Sequence, residues 1–120
     1  MATANLGLIG PYELARKRIG ETVAPNRIGN YALGRYGTKN VEKFIVLYVG
    51  RSDSDVQARL LEHAAEKKHK LFRYSYAESA AEAFEKECRN YHDFEAPEND
   101  VHPARPEGTS LTCPRCDFYR

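Results

Sequence analysis

Residues 79–92 read Ser-Ala-Ala-Glu-Ala-Phe-Glu-Lys-Glu-Cys-Arg-Asn-Tyr-His, and the reading of this stretch decides where the rest of the chain must pack. Ser79 followed by Glu82 is a capping box, so a helix is expected to open there and run to about His92. Ala80, Ala83, Phe84, Cys88 and Tyr91 then share one side at the spacing of a buried stripe. Glu87 lies in the middle of that stripe, whereas Glu82, Glu85, Lys86 and Arg89 point to the other side. A buried carboxylate without a partner is destabilising by several kcal/mol. Glu87 therefore calls for a cation, whether an Arg, a Lys or a metal ion, unless it sits at the rim and reaches water.

Working outward, Leu71 to Tyr76 alternates Leu71, Arg73 and Ser75 with Phe72, Tyr74 and Tyr76, a strand with one aromatic face. The preceding segment reads as a helix from about Asp55 to Lys68, with N-capping side chains supplied by Gly50-Arg51-Ser52-Asp53-Ser54. Val56, Leu60 and Ala64 form its buried line, and Arg59 and His63, four apart, project from the flank. Phe44 to Val49 is a strong strand and Ile28 to Leu33 a shorter one. Gly34 to Lys43, with two glycines, Lys39 and Asn40, should join them as an antiparallel hairpin. Pro11 to Val23 reads as a helix with Pro in its first turn. Its cluster Arg16-Lys17-Arg18 is either a phosphate contact or a solvated face. The expected order is helix, strand, strand, helix, strand, helix, then a Pro-rich tail.

At 120 residues and 42% hydrophobic content, the chain suits one domain with a short appendage. The net charge of +1 conceals a segregation: residues 1–77 hold 13 Lys and Arg against 7 acids, and residues 78–120 hold 5 against 10. A basic first part can meet a polyanion and an acidic second part can supply oxygen ligands, although two solvated faces would look alike. No apolar run approaches the ~20 residues of a membrane span, and Met1 to Gly10 lacks signal-peptide character, so a cytoplasmic protein is expected.

In that compartment Cys113-Pro-Arg-Cys116 suits metal better than a disulfide framework. Cys88 and His92, one turn apart on the last helix, offer the other half of a tetrahedral set, with His102 the rival fourth ligand. Thiolates and imidazole favour Zn²⁺ over Mg²⁺, so Cys88, His92, Cys113 and Cys116 would hold a structural ion pinning the tail to the helix. A buried Cys88 with an unattached tail, or a dithiol without metal, are the alternatives.

Gly29-Asn30-Tyr31, then Tyr48-Val49-Gly50, then Arg59-Leu60 with His63 one turn on, then Glu82-Ala83 and Glu87, together resemble the GIY-YIG nuclease superfamily over roughly residues 28–99. The resemblance implies an α/β fold, a small three-stranded antiparallel sheet flanked by helices. Segments 1–26, 27–99 and 100–120 would be an N-terminal helical part, the nuclease domain and a zinc-knuckle-like tail packed on it. It also implies hydrolysis of nucleic-acid phosphodiesters, DNA foremost, with Mg²⁺ or Mn²⁺ held by Glu87. Arg59 would bind the scissile phosphate and Arg51 would add charge beside it. Tyr31 would be the general base, and a phenol of pKa ~10 needs nearby positive charge for that part. Tyr48 would hydrogen-bond at the phosphate or water, and His63 would relay or orient a proton.

The pattern departs from the family in two places. Asn30 replaces an aliphatic residue, and the Tyr31–Tyr48 interval exceeds the usual hairpin. Gly34-Arg35-Tyr36 would restore the spacing, but Tyr31-Ala32-Leu33 continues as a strand while Tyr36 lies in turn-like sequence between Gly34 and Gly37. Asn99 is the counterpart of a late Asn near the site. No obvious sequence-reading domain is present, so specificity would come from loops, the N-terminal helix, the tail, a homodimer or a protein partner. A non-catalytic nucleic-acid-binding or adaptor module on the same fold is the rival reading; Tyr31, Tyr48, Arg59 and Glu87 together favour the enzyme.

Overall fold

The β-branched and aromatic runs on either side of the glycine-rich turn pair as a long hairpin, and everything else is hung on it. The structure is a computed structural model that describes residues 6–39 and 43–119; Asn40 of the expected hairpin loop and the first five residues lie outside it. The elements are β1 (Ile9–Glu13), α1 (Arg16–Thr22), β2 (Gly29–Tyr36), β3 (Phe44–Ser52), α2 (Val56–Glu66), β4 (Leu71–Tyr76) and α3 (Ala80–Phe94). The sheet is four-stranded and antiparallel in the order β1-β4-β2-β3.

The expectation of three strands is therefore corrected to four, and that of a helix over Pro11–Val23 to a strand followed by a short helix. Pro11 sits in β1, an edge strand whose pairing with β4 slips between Ile9 and Tyr12. A residue without an N–H is tolerated at an irregular edge. Only the partner strand β4, far along the chain, makes this segment extended. Tyr36 is the last residue of β2, opposite Phe44, rather than part of a turn.

Both long helices open at a side-chain cap, Ser79 as expected for α3 but Asp55, rather than the preceding run 50–54, for α2. The Asp55 side chain accepts from Ala58 N at 3.0 Å, and Ser79 Oγ accepts from Glu82 N at 3.1 Å. One sheet face carries α1 and α2, with Ile19, Val23, Val56 and Leu60 packed on Tyr31, Leu33, Phe72 and Tyr74. Fully burying a side chain such as Ile19, Leu60 or Phe72 contributes about 1.5–3 kcal/mol. The other face packs Leu8, Ala32 and Val49 with Tyr91 of α3. A third cluster, Phe84, Cys88 and Cys113 with Leu111 and Tyr119, lies between α3 and the tail.

The tail also covers β3, the second edge. Asn99 Oδ1 accepts from Val49 N and Asn99 Nδ2 donates to Val49 O, both at 2.9 Å, while Glu98 N donates to Leu47 O at 3.0 Å. Such pairing removes the exposed strand edge that would otherwise recruit another chain. Among the described residues no helix is long and apolar enough to cross a membrane.

Candidate functional site

Side chains alternate across the sheet, so Tyr31 and its cross-strand neighbour Gly50 face α2. A Cβ on Gly50 would fall 2.5 Å from both Cζ and Oη of Tyr31. Glycine at this position is what lets the phenol lie across β3. Tyr31 is 1% exposed, and its hydroxyl lies 2.8 Å from His63 Nε2. His63 Nδ1 lies 3.0 Å from Glu66 Oε1. A carboxylate can only accept, so the proton belongs on Nδ1, and Nε2 accepts from the Tyr31 hydroxyl. Burial lowers the His63 pKa, opposed by the Glu66 hydrogen bond and reinforced by Arg59, which keeps the ring a neutral acceptor. Burial, with Tyr48 adding, pushes the Tyr31 hydroxyl well above the ordinary phenol value, against the pull of Arg59. Tyr48 is also raised, by burial and then by Glu87. Its ring packs 6.3 Å from that of Tyr31 and 5.7 Å from that of His63.

One residue past Gly50 the side chain belongs to the other face. Arg51 reaches α3, where its Nη1 donates to Glu87 Oε1 at 2.7 Å. Its remaining nitrogens hold Asp53, Nε to Oδ1 at 2.7 Å and Nη2 to Oδ2 at 3.2 Å, and the guanidinium lies 5.3 Å from the Phe84 ring centre. Arg51 is thus engaged by two carboxylates, and it supplies a cation within hydrogen-bond reach of Glu87. Glu87 is 9% exposed; burial raises its pKa and the Arg51 hydrogen bond and charge oppose that rise.

Because β3 is an edge strand and Gly50 leaves a gap, the two faces meet there. Tyr31, Tyr48, Arg51, Asp53, Arg59 and Glu87 line one cavity of about 230 Å³, with Ala104 of the tail on its wall. Arg59 reaches it from α2 while its Nη1 donates to the exposed Glu62 at 2.5 Å. Tyr36 lies at the far end of the hairpin and is 46% exposed. Asn99 is not on the wall; it clasps the Val49 backbone next to Tyr48 and Gly50.

A second group lies between α3 and the tail. His92, His102, Cys113 and Cys116 place one ligand atom each within 4.8 Å of one another and could hold a metal ion. The set differs from the expected one by the exchange of Cys88 for His102. Cys88 is fully buried against Phe84 and Cys113, while the chain beyond α3 turns back and brings His102 Nε2 to 3.3 Å from Cys116 Sγ.

Sequence reasoning missed Glu66 and Asp53. The spacing of His63 and Glu66, three apart on one helix, carried the first, and Asp53 two residues after Arg51 the second. Fold and sites together define a small α/β protein with an edge-strand cavity of tyrosines, cations and a buried glutamate, and a separate cysteine–histidine group. Comparison with protein-family models, with curated proteins and with solved structures finds no match.

Proposed function

We propose that the chain is a GIY-YIG-type endonuclease that hydrolyses nucleic-acid phosphodiester bonds, DNA foremost, with a divalent ion. The observation that carries this reading is the convergence of Tyr31, Tyr48, Arg59 and Glu87, from β2, β3, α2 and α3, on one cavity. Glu87 is the carboxylate that would hold Mg²⁺ or Mn²⁺, which supplies Lewis-acid stabilisation of the phosphate oxygens when bound. Arg59 holds the phosphate and stabilises charge developing on it. Tyr31 takes the proton of the attacking water as its own proton passes to His63 Nε2, 2.8 Å away, and Glu66 stabilises the imidazolium. The relay lets a buried phenol act as base without a standing phenolate. Arg51 orients Glu87 rather than contacting phosphate directly. Zn²⁺ at the thiolate–imidazole group of the tail serves structure, not chemistry.

The Arg51–Glu87 pair also gives the rival reading its footing: a carboxylate already neutralised by arginine needs no metal, as in a module that binds nucleic acid without cutting it. Labelled duplex, nicked, branched and single-stranded DNAs, incubated with wild type and Glu87→Ala in Mg²⁺, Mn²⁺ or chelator, separate the two. Cutting that needs both the ion and Glu87 is the expected result. No cutting, with equal DNA binding by both folded proteins, would sink the nuclease and favour the binding module.

A further inference from the structure

The half-buried imidazole of His92 has an enclosed nitrogen without a partner. Its Nε2 finds no hydrogen-bond partner among the described residues, a state that is unfavourable unless something fills the place. His92 belongs to the four-residue group with His102, Cys113 and Cys116, one ligand atom from each lying within 4.8 Å of the others. His102 Nδ1 lies 2.9 Å from Pro103 O, a pure acceptor, so Nδ1 carries the proton and Nε2 presents a lone pair to the group. Cys113 Sγ accepts the Arg115 backbone N–H at 3.4 Å, which offsets negative charge on the sulfur. A tetrahedral ion with bonds of 2.0–2.3 Å spaces its ligand atoms roughly 3.3–3.8 Å apart, and Cys116 Sγ and His102 Nε2 are already at 3.3 Å.

From these contacts we infer a closed, four-coordinate Zn²⁺ centre held by His92 Nε2, His102 Nε2, Cys113 Sγ and Cys116 Sγ, excluding Cys88, that anchors the tail wall of the edge-strand cavity. Two thiolates and two neutral imidazoles balance a divalent charge, so the centre can sit beside the apolar cluster of Phe84, Leu111 and Tyr119 without a net buried charge. Thiolate sulfur selects Zn²⁺ over Mg²⁺ or Ca²⁺. With four protein ligands no position stays open for substrate, which makes the ion structural. An aromatic shell closes over it: the Phe118 ring stacks on His102 with centroids 4.4 Å apart, and Tyr91 lies 5.4 Å away. Ala104, on the cavity wall, is two residues beyond His102, so the ion sets the place of that wall.

The inference does not rest on the nuclease reading, and its test needs no cleavage. Reduced protein purified without chelator should contain about one zinc per chain, and Cys116→Ser and His102→Gln should bring that to background while Cys88→Ala leaves it unchanged. Amide exchange at Arg105, next to Ala104, should quicken when the zinc is removed, because its N–H donates to Tyr119 Oη of the tail at 2.9 Å. Should Cys88→Ala fail to fold, Co²⁺ substituted into wild type decides, because its near-ultraviolet thiolate charge-transfer band should have the strength of two sulfurs. Reduced protein that neither contains nor takes up Zn²⁺ or Co²⁺ overturns the proposal. A three-thiolate Co²⁺ spectrum, or zinc kept by folded His102→Gln, overturns the ligand set, and unchanged exchange at the Arg105 amide overturns the anchoring role. Glu87→Ala should keep its zinc, so a failed nuclease reading and a failed zinc reading are told apart.

Discussion

At the scale of single residues, the cavity depends on one missing side chain. Gly50 lies opposite Tyr31, and any Cβ there meets the phenol at 2.5 Å. Gly50→Ala should displace Tyr31 from His63 and destabilise the fold by about 1–3 kcal/mol, the usual range for overpacking a dense site. If the chain is the proposed nuclease, cleavage should fall by about 100-fold or more, as for other displaced reacting groups. Denaturant melts and cleavage rates check this, and an unchanged rate would remove Tyr31 from the chemistry. His63 makes a pH prediction. Its folded pKa is below the unfolded value of about 6.5, so near and below that pH the unfolded chain binds more of the proton. The associated stability is fully present above pH ~6.5 and is lost as pH falls through the folded pKa. Melting curves of wild type should therefore drop faster below that pH than those of His63→Asn; parallel curves would show that His63 titrates normally. Both positions were named from the sequence, as motif letters; the contact that makes each necessary was not.

At the scale of elements, the caps and the hydrophobic period placed α2, α3, β3 and β4 within a few residues. These are local signals: Asp55 and Ser79 satisfy helix N–H groups three residues away. β1 was misread because the competing forces are not local. Pro11 suits the first turn of a helix and an edge strand alike, and pairing with β4 decides between them. The β3 edge was equally hidden. Asn99 imitates a strand residue there with its side chain, so Asn99→Leu should leave the Val49 N–H and C=O unpaired and lower stability by about 1–3 kcal/mol. Hydrogen exchange at the Val49 amide should speed up by a corresponding factor, with a rise in self-association if the clasp protects the edge. Unchanged exchange would mean that other contacts cover β3.

At the scale of the whole molecule, charge is distributed by chain half, with the basic excess in residues 1–77. Arg16, Lys17 and Arg18 are all exposed on α1 and make no ion pair among the described residues. If the chain binds nucleic acid as proposed, their triple replacement by Gln should weaken binding of a non-cleaved DNA and reduce the slope of log affinity against log salt by up to about 2.7, with little change in thermal stability. An unchanged slope would place the phosphate contacts elsewhere, Arg59 and the cavity mouth being next to test.

By itself the sequence determined the two long helices and the Ser79 cap, the central hairpin, the inward carboxylate at Glu87, and a tail with paired cysteines, because each follows from periodicity or spacing within a few residues. Only the tertiary structure decided that the sheet has a fourth strand, that Arg51 is the partner of Glu87, that Glu66 orients His63, and that His102 replaces Cys88 in the cysteine–histidine group that could hold a metal ion. Each of these but Glu66 joins segments distant along the chain or rests on how the tail folds back. Which of two chemically similar side chains reaches a site is set by packing direction, and a linear pattern of residue types does not carry direction.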